Sequence, residues 1–183
     1  MIWILLAAVA LLVAWCIAMY NSLVAVRQHV DEAWSNVQTE LKRRYDLIPN
    51  LVNTVKGYAK HERELLEKLV LLRERAAANT GPPSAQARDE SELQRVLGQL
   101  MVRMEAYPEL KASSNFLELQ KELGNTEDRI QAALRFYNGN VRENNTKIQQ
   151  FPGNVVAGLF QFGPKEFFDL EVPEARQAPK VEF

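Results

Sequence analysis

The residues that could carry metal or nucleophilic chemistry are few in this chain, and their spacing does not suit it. His61 and Glu62 would begin a metalloprotease motif, but position 65, where the second histidine should stand, is leucine. A di-iron site in a helical bundle needs a glutamate three residues before each histidine. Three residues before His29 and His61 stand Val26 and Tyr58, so neither histidine fits such a site. The chain also lacks a Gly-rich phosphate loop and a G-x-S-x-G elbow. We therefore expect no catalytic residues, no metal and no cofactor.

The one cysteine, Cys16, lies in residues 1–20, an uncharged apolar stretch long enough to cross a membrane. Twenty helical residues rise about 30 Å, the thickness of the hydrocarbon core of a bilayer. Because the first basic residue is Arg27, the basic region of a cleaved signal is missing. A lipoprotein would need a small residue before Cys16 and has Trp15. We expect a retained anchor, with cleaved or lipidated forms as the alternative, and with Trp3 and Tyr20 at its two interfaces.

The remainder of the chain has the composition of a soluble domain. The whole chain is 47% hydrophobic, and without residues 1–20 the fraction falls to about 40%, which is ordinary for such a domain. A net charge of −1 argues against a nucleic-acid binder. A single cysteine excludes a disulfide scaffold, and no second apolar run is long enough to suggest several membrane spans.

Apolar residues recur every three or four positions from residue 21 to about residue 150, as in helices that bury one face. The longest such series runs from Phe116 to Ile148 and is heptad-like. The sequence predicts an all-α fold: a transmembrane helix over residues 1–20, an antiparallel four-helix bundle with long helices over 21–150, and an irregular Phe-, Pro- and Gly-rich tail over 151–183. Trp34 lies on the apolar stripe, and so we expect it to be buried. Asn144 also lies on a stripe, where its amide needs a hydrogen-bonding partner.

Pro49 leaves two interpretations of the first helix after the anchor. A new helix could begin at Asp46 with Pro49 in its first turn, where the missing N–H costs nothing. Alternatively, one long helix could kink at Pro49, since the apolar spacing continues across the proline. We predict the first arrangement, with a new helix at Asp46, because it gives four helices of about 25, 30, 20 and 35 residues, as an antiparallel bundle needs.

Two groups of side chains are candidates for contact with lipid or a partner protein. The first is the basic triplet Lys42, Arg43 and Arg44, which either forms a solvated helix face or binds an anionic lipid or partner. The second consists of tail aromatics, which either pack back onto the bundle or form an apolar wedge. Its members are Phe160, Phe162, Phe167 and Phe168, next to Leu159.

Short blocks of the sequence occur in a characteristic order along the chain. They are Tyr20-Asn21-Ser22-Leu23-Val24, Ala33-Trp34-Ser35, Leu41-Lys42-Arg43-Arg44, Asp46-Leu47-Ile48-Pro49-Asn50-Leu51-Val52, Val55-Lys56-Gly57-Tyr58-Ala59, Tyr107-Pro108-Glu109-Leu110-Lys111-Ala112, Thr126-Glu127, Tyr137-Asn138 and Phe151-Pro152-Gly153-Asn154. In order and spacing they resemble the LemA family of bacterial membrane proteins, over essentially the whole chain. The resemblance implies a single-pass anchor in the bacterial plasma (inner) membrane and a bundle of four helices, and it brings no catalytic residues, because the family has no established enzymatic activity.

These observations favour a membrane-anchored scaffold or adaptor of the bacterial envelope that self-associates and is not an enzyme. Its expected partners are the lipid bilayer, further copies of the chain and a membrane protein, but no nucleic acid. The alternative is a regulatory accessory subunit of a membrane enzyme, such as a protease or a stress-response complex. Arg27, the basic residue nearest the span, predicts a cytoplasmic helical domain. A periplasmic domain stays open, because large domains can cross the membrane largely regardless of charge.

Overall fold

The computed structural model describes residues 1–58 and 60–170, and the regular structure in them is helical. The helices are α1 (Ile2–Lys56), α2 (Arg63–Ala78), α3 (Pro83–Met104), α4 (Pro108–Lys111), α5 (Ser114–Gln149) and α6 (Gly153–Leu159), with a 3₁₀ turn at Lys60–Glu62. No strand occurs in this part of the chain, and the all-α prediction is confirmed. The tail was expected to be irregular from residue 151, and α6 corrects this. Residues 171–183 of that tail lie outside the described residues.

The first part of α1 has the properties of a membrane span. An 18-residue window of this helix has a mean hydropathy of 2.7, and none of the window is buried. Trp3, for example, is 83% exposed. By length and composition α1 can cross a membrane, as residues 1–20 predicted. The same helix continues beyond the apolar stretch for more than thirty residues, to Lys56.

The chain divides into two compact units. Unit 1 consists of Met1–Gln38 and Ala132–Phe167, and unit 2 of Thr39–Gln131 with the described residues from Phe168 onward. Helices α1 and α5 each contribute residues to both units.

Unit 2 has a continuous apolar core to which four long helices and α4 contribute. Its buried members are Ile48, Leu51 and Val55 of α1; Leu66, Leu69, Leu72 and Ala76 of α2; Leu93, Val96, Leu100 and Met104 of α3; Leu110 of α4; and Phe116 and Leu123 of α5. Most of these residues lie three or four positions apart within their helix, so each helix buries one face. Unit 1 has a smaller core of Leu23, Val156 and Ala157.

At Pro49 the structure decides between the two interpretations of the sequence. Helix α1 continues through Pro49 to Lys56, so the predicted split at Asp46 is wrong. Proline has no N–H, and the carbonyl oxygen of Tyr45 therefore lacks the helical donor four residues further on. Arg73 of α2 supplies that donor, since its Nε lies 3.1 Å from the Tyr45 oxygen. The chain breaks instead at Gly57 and Tyr58, just before the 3₁₀ turn.

The turn between α2 and α3 is held by one asparagine. The Asn79 Oδ1 atom accepts a hydrogen bond from the Gly81 N–H at 2.8 Å, and its Nδ2 atom donates to Asp89 at 2.6 Å. A Cβ atom on Gly81 would lie 2.9 Å from Asn79 Oδ1, so a side chain there would disturb this bond. Helix α3 then begins at Pro83, where a missing N–H costs nothing.

We expect Arg73→Ala to destabilise the protein by about 1–2 kcal/mol, because the Tyr45 carbonyl loses its donor. In a Pro49→Ala background the loss should shrink, since the new amide at position 49 can donate to the same carbonyl. Chemical unfolding in detergent of the unchanged chain, the two single variants and the double variant measures the coupling between Arg73 and Pro49. Lys68→Ala, an exposed change on the same helix, is the control. Equal losses with and without Pro49 would contradict the compensation by Arg73.

Candidate functional site

In unit 1, helix α6 packs against α1 just beyond the apolar stretch. Val156 and Ala157 of α6 are buried with Leu23 of α1, and Met19, Ile148 and Phe162 pack around them. The Tyr20 ring meets the rings of Phe160 and Phe162 edge-on, at centroid distances of 4.8 and 5.6 Å. The predicted interface residue Tyr20 is thus 37% exposed and held by aromatic contacts from the tail.

Gly153 allows α6 to begin close to the end of α5. A Cβ atom at this position would lie 2.4 Å from the carbonyl oxygen of Lys147, which is closer than such atoms ever approach. The same atom would lie 3.8 Å from the sulfur of Met19. Any side chain at position 153 would therefore push α6 away from α5.

The outer face of α6 and its neighbours is apolar and exposed. The exposed fractions are 82% for Phe151, 52% for Val155, 73% for Leu159 and 57% for Phe160. We call these four residues the α6 patch. Val155 and Leu159 stand four residues apart in α6 and therefore share one face of the helix.

The segment after α6 is fixed to α5 and α1 by polar contacts. The Asn145 side chain pairs with the backbone of Lys165, donating to its carbonyl oxygen and accepting from its N–H, both at 2.9 Å. The Tyr137 hydroxyl donates to the carbonyl oxygen of Glu166 at 2.7 Å. The Lys165 ammonium lies 2.7 Å from Asp31 of α1. These contacts hold the segment that follows α6 against α5 and α1 within unit 1.

Tyr137 and Trp34 pack together beneath this segment. Their ring centroids are 5.1 Å apart, and Tyr137 is only 2% exposed. Burial, with the nearby carboxylates of Glu166 and Asp31, raises the pKa of Tyr137 to about 12. The phenol is therefore neutral at physiological pH and can donate its hydrogen bond. Trp34 was expected to be buried and is only partly buried, whereas its neighbour Ala33 is fully buried.

Unit 2 contains a buried ionic cluster centred on Arg44. Its side chain and that of Glu90 are each 2% exposed, and the two form an ion pair. A second pair joins Arg44 Nη1 to Glu127 Oε2 at 2.9 Å. Glu90 comes from α3 and Glu127 from α5, so the guanidinium of one helix meets carboxylates from two others.

Neutral side chains complete this cluster. The Tyr45 hydroxyl donates to Glu90, and burial together with the negative charge of Glu90 raises the pKa of Tyr45 well above its usual range. Gln94 and Gln131 donate to Glu127 Oε1 at 2.8 and 3.0 Å. Each carboxylate therefore accepts from at least one neutral donor besides Arg44, which lowers the cost of burying the charges.

The structure separates the residues that the sequence grouped as contact candidates. Lys42 and Arg43 are exposed, whereas Arg44 is 1% exposed and belongs to the core, so neither a solvated face nor a lipid patch describes it. Of the tail aromatics, Phe160 and Phe167 are exposed, Phe162 is half-buried, and Phe168 is 2% exposed. A single wedge made of all four is therefore wrong.

The residues considered for chemistry stand apart from one another. His29 and His61 are both exposed. Among residues 1–58 and 60–170, no three His, Cys, Asp or Glu side chains are placed to hold a metal ion. Asn144 is 3% exposed, and its amide donates a hydrogen bond to Asn145 Oδ1 at 3.1 Å. Asn145 is therefore the hydrogen-bonding partner that was expected for this amide.

Sequence reasoning missed the ionic cluster, although a signal for it was present. Arg44 stands three residues after Leu41 and Glu90 three residues before Leu93, so both charges occupy positions on apolar stripes. Two opposite charges at stripe positions of different helices are typical of a buried pair. The role of Asn145 had no such signal, because it depends on where the tail returns.

The chain is similar in sequence to one protein family and to several known proteins. A model of the LemA family matches residues 33–183, and the resemblance predicted from the sequence is confirmed. Protein LemA of Metamycoplasma hominis is 29% identical over 164 residues, covering 85% of this chain and 75% of that protein. Magnetosome proteins MamQ 1 and MamQ 2 of Paramagnetospirillum magneticum are each 24% identical over 186 residues, covering 88% of this chain and 68% of each relative. None of these names is that of an enzyme.

We expect Arg44→Met to lower the free energy of unfolding by about 3–5 kcal/mol, because it leaves Glu90 buried without its cation. Changing both partners, Arg44→Met with Glu90→Met, should restore most of that loss. The exposed neighbour supplies the matched control, Arg43→Met, which should change stability by less than about 0.5 kcal/mol. Unfolding of the full chain in detergent, followed by circular dichroism, measures all three. Similar losses for Arg43→Met and Arg44→Met would contradict the buried pair.

Proposed function

Because the chain belongs to the LemA family, which the resemblance describes as bacterial membrane proteins, we propose that it is a membrane-anchored helical scaffold or adaptor that self-associates. One observation carries the proposal. The helix that holds the exposed apolar span also supplies Ile48, Leu51 and Val55 to the core of unit 2. The span and part of the unit 2 core thus belong to one unbroken helix, which suits a protein whose role is to hold other proteins at a membrane.

An open groove in unit 2 offers a surface for self-association. It lies between the end of α1 and helix α2, and its apolar lining includes Val52, Leu66, Val70 and Leu71. Leu71 is 65% exposed. The charged lining residues have both signs: Lys56 and Arg63 against Glu67 and Glu74. An apolar groove with a mixed rim can accept a helix of another chain without net repulsion.

The proposal includes an antiparallel four-helix bundle for unit 2 and residence in the bacterial plasma membrane. Helices α1, α2, α3 and α5 all contribute to the unit 2 core, which supports the bundle. The apolar part of α1 supports the membrane location. Two relatives bear the name magnetosome protein, which fits a role in membrane organisation.

We expect chemical crosslinking of the full chain in mild detergent to give dimers or larger species. Leu71→Asp should reduce these species strongly, because a carboxylate in the groove must be desolvated on association. Phe136→Asp places the same charge on α5, at a residue that is 61% exposed and outside the groove, and should leave them unchanged. A monomer that purifies without any partner would contradict the scaffold. Purification from native membranes with one stoichiometric enzyme would instead support the accessory subunit.

We also propose that the helical domain is cytoplasmic. Arg27 and, further along the chain, Lys42 and Arg43 follow the span, and basic residues near a span favour the cytoplasmic side. A fluorescent protein that matures only in the cytoplasm should therefore glow when it is fused after Phe183, and alkaline phosphatase at the same place should stay inactive. An active phosphatase with a dark fluorescent fusion would reverse the orientation.

A further inference from the structure

We propose that the α6 patch inserts into the interfacial layer of the bilayer beside the α1 span, so that the chain contacts the membrane twice. The occupant of this apolar surface is lipid. The proposal rests on the membrane span of α1 and does not depend on self-association.

The level of α6 along α1 is the first argument. Leu23, which packs with Val156 and Ala157, is three residues beyond Tyr20, or about 4.5 Å at the helical rise. The interfacial region adds about 5–8 Å to each side of the hydrocarbon core. If residues 1–20 fill the core of the bilayer, then α6 lies at the depth of the lipid headgroups.

The absence of charge is the second argument. Residues 1–26 contain no Lys, Arg, Asp or Glu, and neither do residues 148–164, which include the end of α5, all of α6 and the α6 patch. The two charge-free segments meet through Leu23 and Tyr20. Aromatic and aliphatic groups are favoured at this depth. Two adjoining segments without charge match the chemistry of that layer.

The geometry of the patch is the third argument. Val156 and Ala157 are buried against Leu23 of α1, while Val155 and Leu159 of the same helix are exposed. Phe160 touches Tyr20, the residue that marks the end of the apolar stretch. Through Phe160 the patch therefore adjoins the end of the apolar stretch of α1.

Collision accessibility of spin labels tests the depth of the patch. The full chain is labelled at Val155→Cys or Leu159→Cys in a Cys16→Ala background and reconstituted into vesicles of phosphatidylcholine and phosphatidylglycerol. Oxygen concentrates in the bilayer and a nickel chelate stays in water. We expect the ratio of oxygen to nickel accessibility at both positions to be severalfold higher than at the control, Phe136→Cys. That control lies next to Tyr137, which contacts Trp34, about 21 Å beyond Tyr20 along α1.

A spin label on the native Cys16 distinguishes a failure of the α1 span from a failure of the second membrane contact. A label on Cys16 in the unchanged chain should report lipid, and a water-exposed Cys16 would overturn the span itself and the membrane proposal with it. Labels at 155 and 159 that report water while Cys16 reports lipid would overturn only the second contact. Labels at 155 and 159 that are reached by neither reagent would mean that protein covers the patch, and would also overturn it. Circular dichroism checks that each labelled variant keeps its helices.

Discussion

The fold of unit 2 depends on where the charge of Arg44 can be buried. Removing a guanidinium from water costs several kcal/mol unless carboxylates replace the lost hydration. Glu90 on α3 and Glu127 on α5 do so, with Tyr45, Gln94 and Gln131 completing their hydrogen bonds. A stripe of leucine and valine tolerates a shift of one helical turn, but this set of charges meets in one register only. We infer that the cluster fixes the relative position of three helices more than it adds to stability, as single buried polar residues do in coiled coils.

Much of the secondary structure could be predicted because the apolar spacing is regular. The start of α3 follows from Pro83 and the end of α5 from Pro152, three residues beyond Gln149, and the membrane span follows from a stretch without charge. The failure at Pro49 has a different origin. A proline can stay inside a helix when another group donates a hydrogen bond to the carbonyl oxygen four residues before it. Here Arg73 of α2 is that donor. Such long-range compensation is invisible to any local pattern.

The candidate contact surfaces were harder to predict because burial differs between residues that are close in the sequence. The triplet at 42–44 looks uniform in the sequence, yet the helical period puts Arg44 inside and its two neighbours outside. In the tail, Phe160 and Phe162 are only two residues apart, but their burial differs. Phe162 packs against the cluster of Leu23, Val156 and Ala157, whereas Phe160 is exposed. Composition reveals that such residues can contact lipid or protein, and the fold decides which of them do.

Helix α1 runs without a break from the span past Leu23, and this has a consequence in membranes of different thickness. A span of fixed length meets a thinner bilayer by tilting, at a cost of fractions of a kcal/mol per ångström of mismatch. Because Val156 and Ala157 are packed on the same helix, a tilt of α1 would carry α6 with it and change the depth of Leu159 and Phe160. The protein would then respond to bilayer thickness as well as to the presence of a bilayer, and would accumulate where the two contacts fit the lipid together.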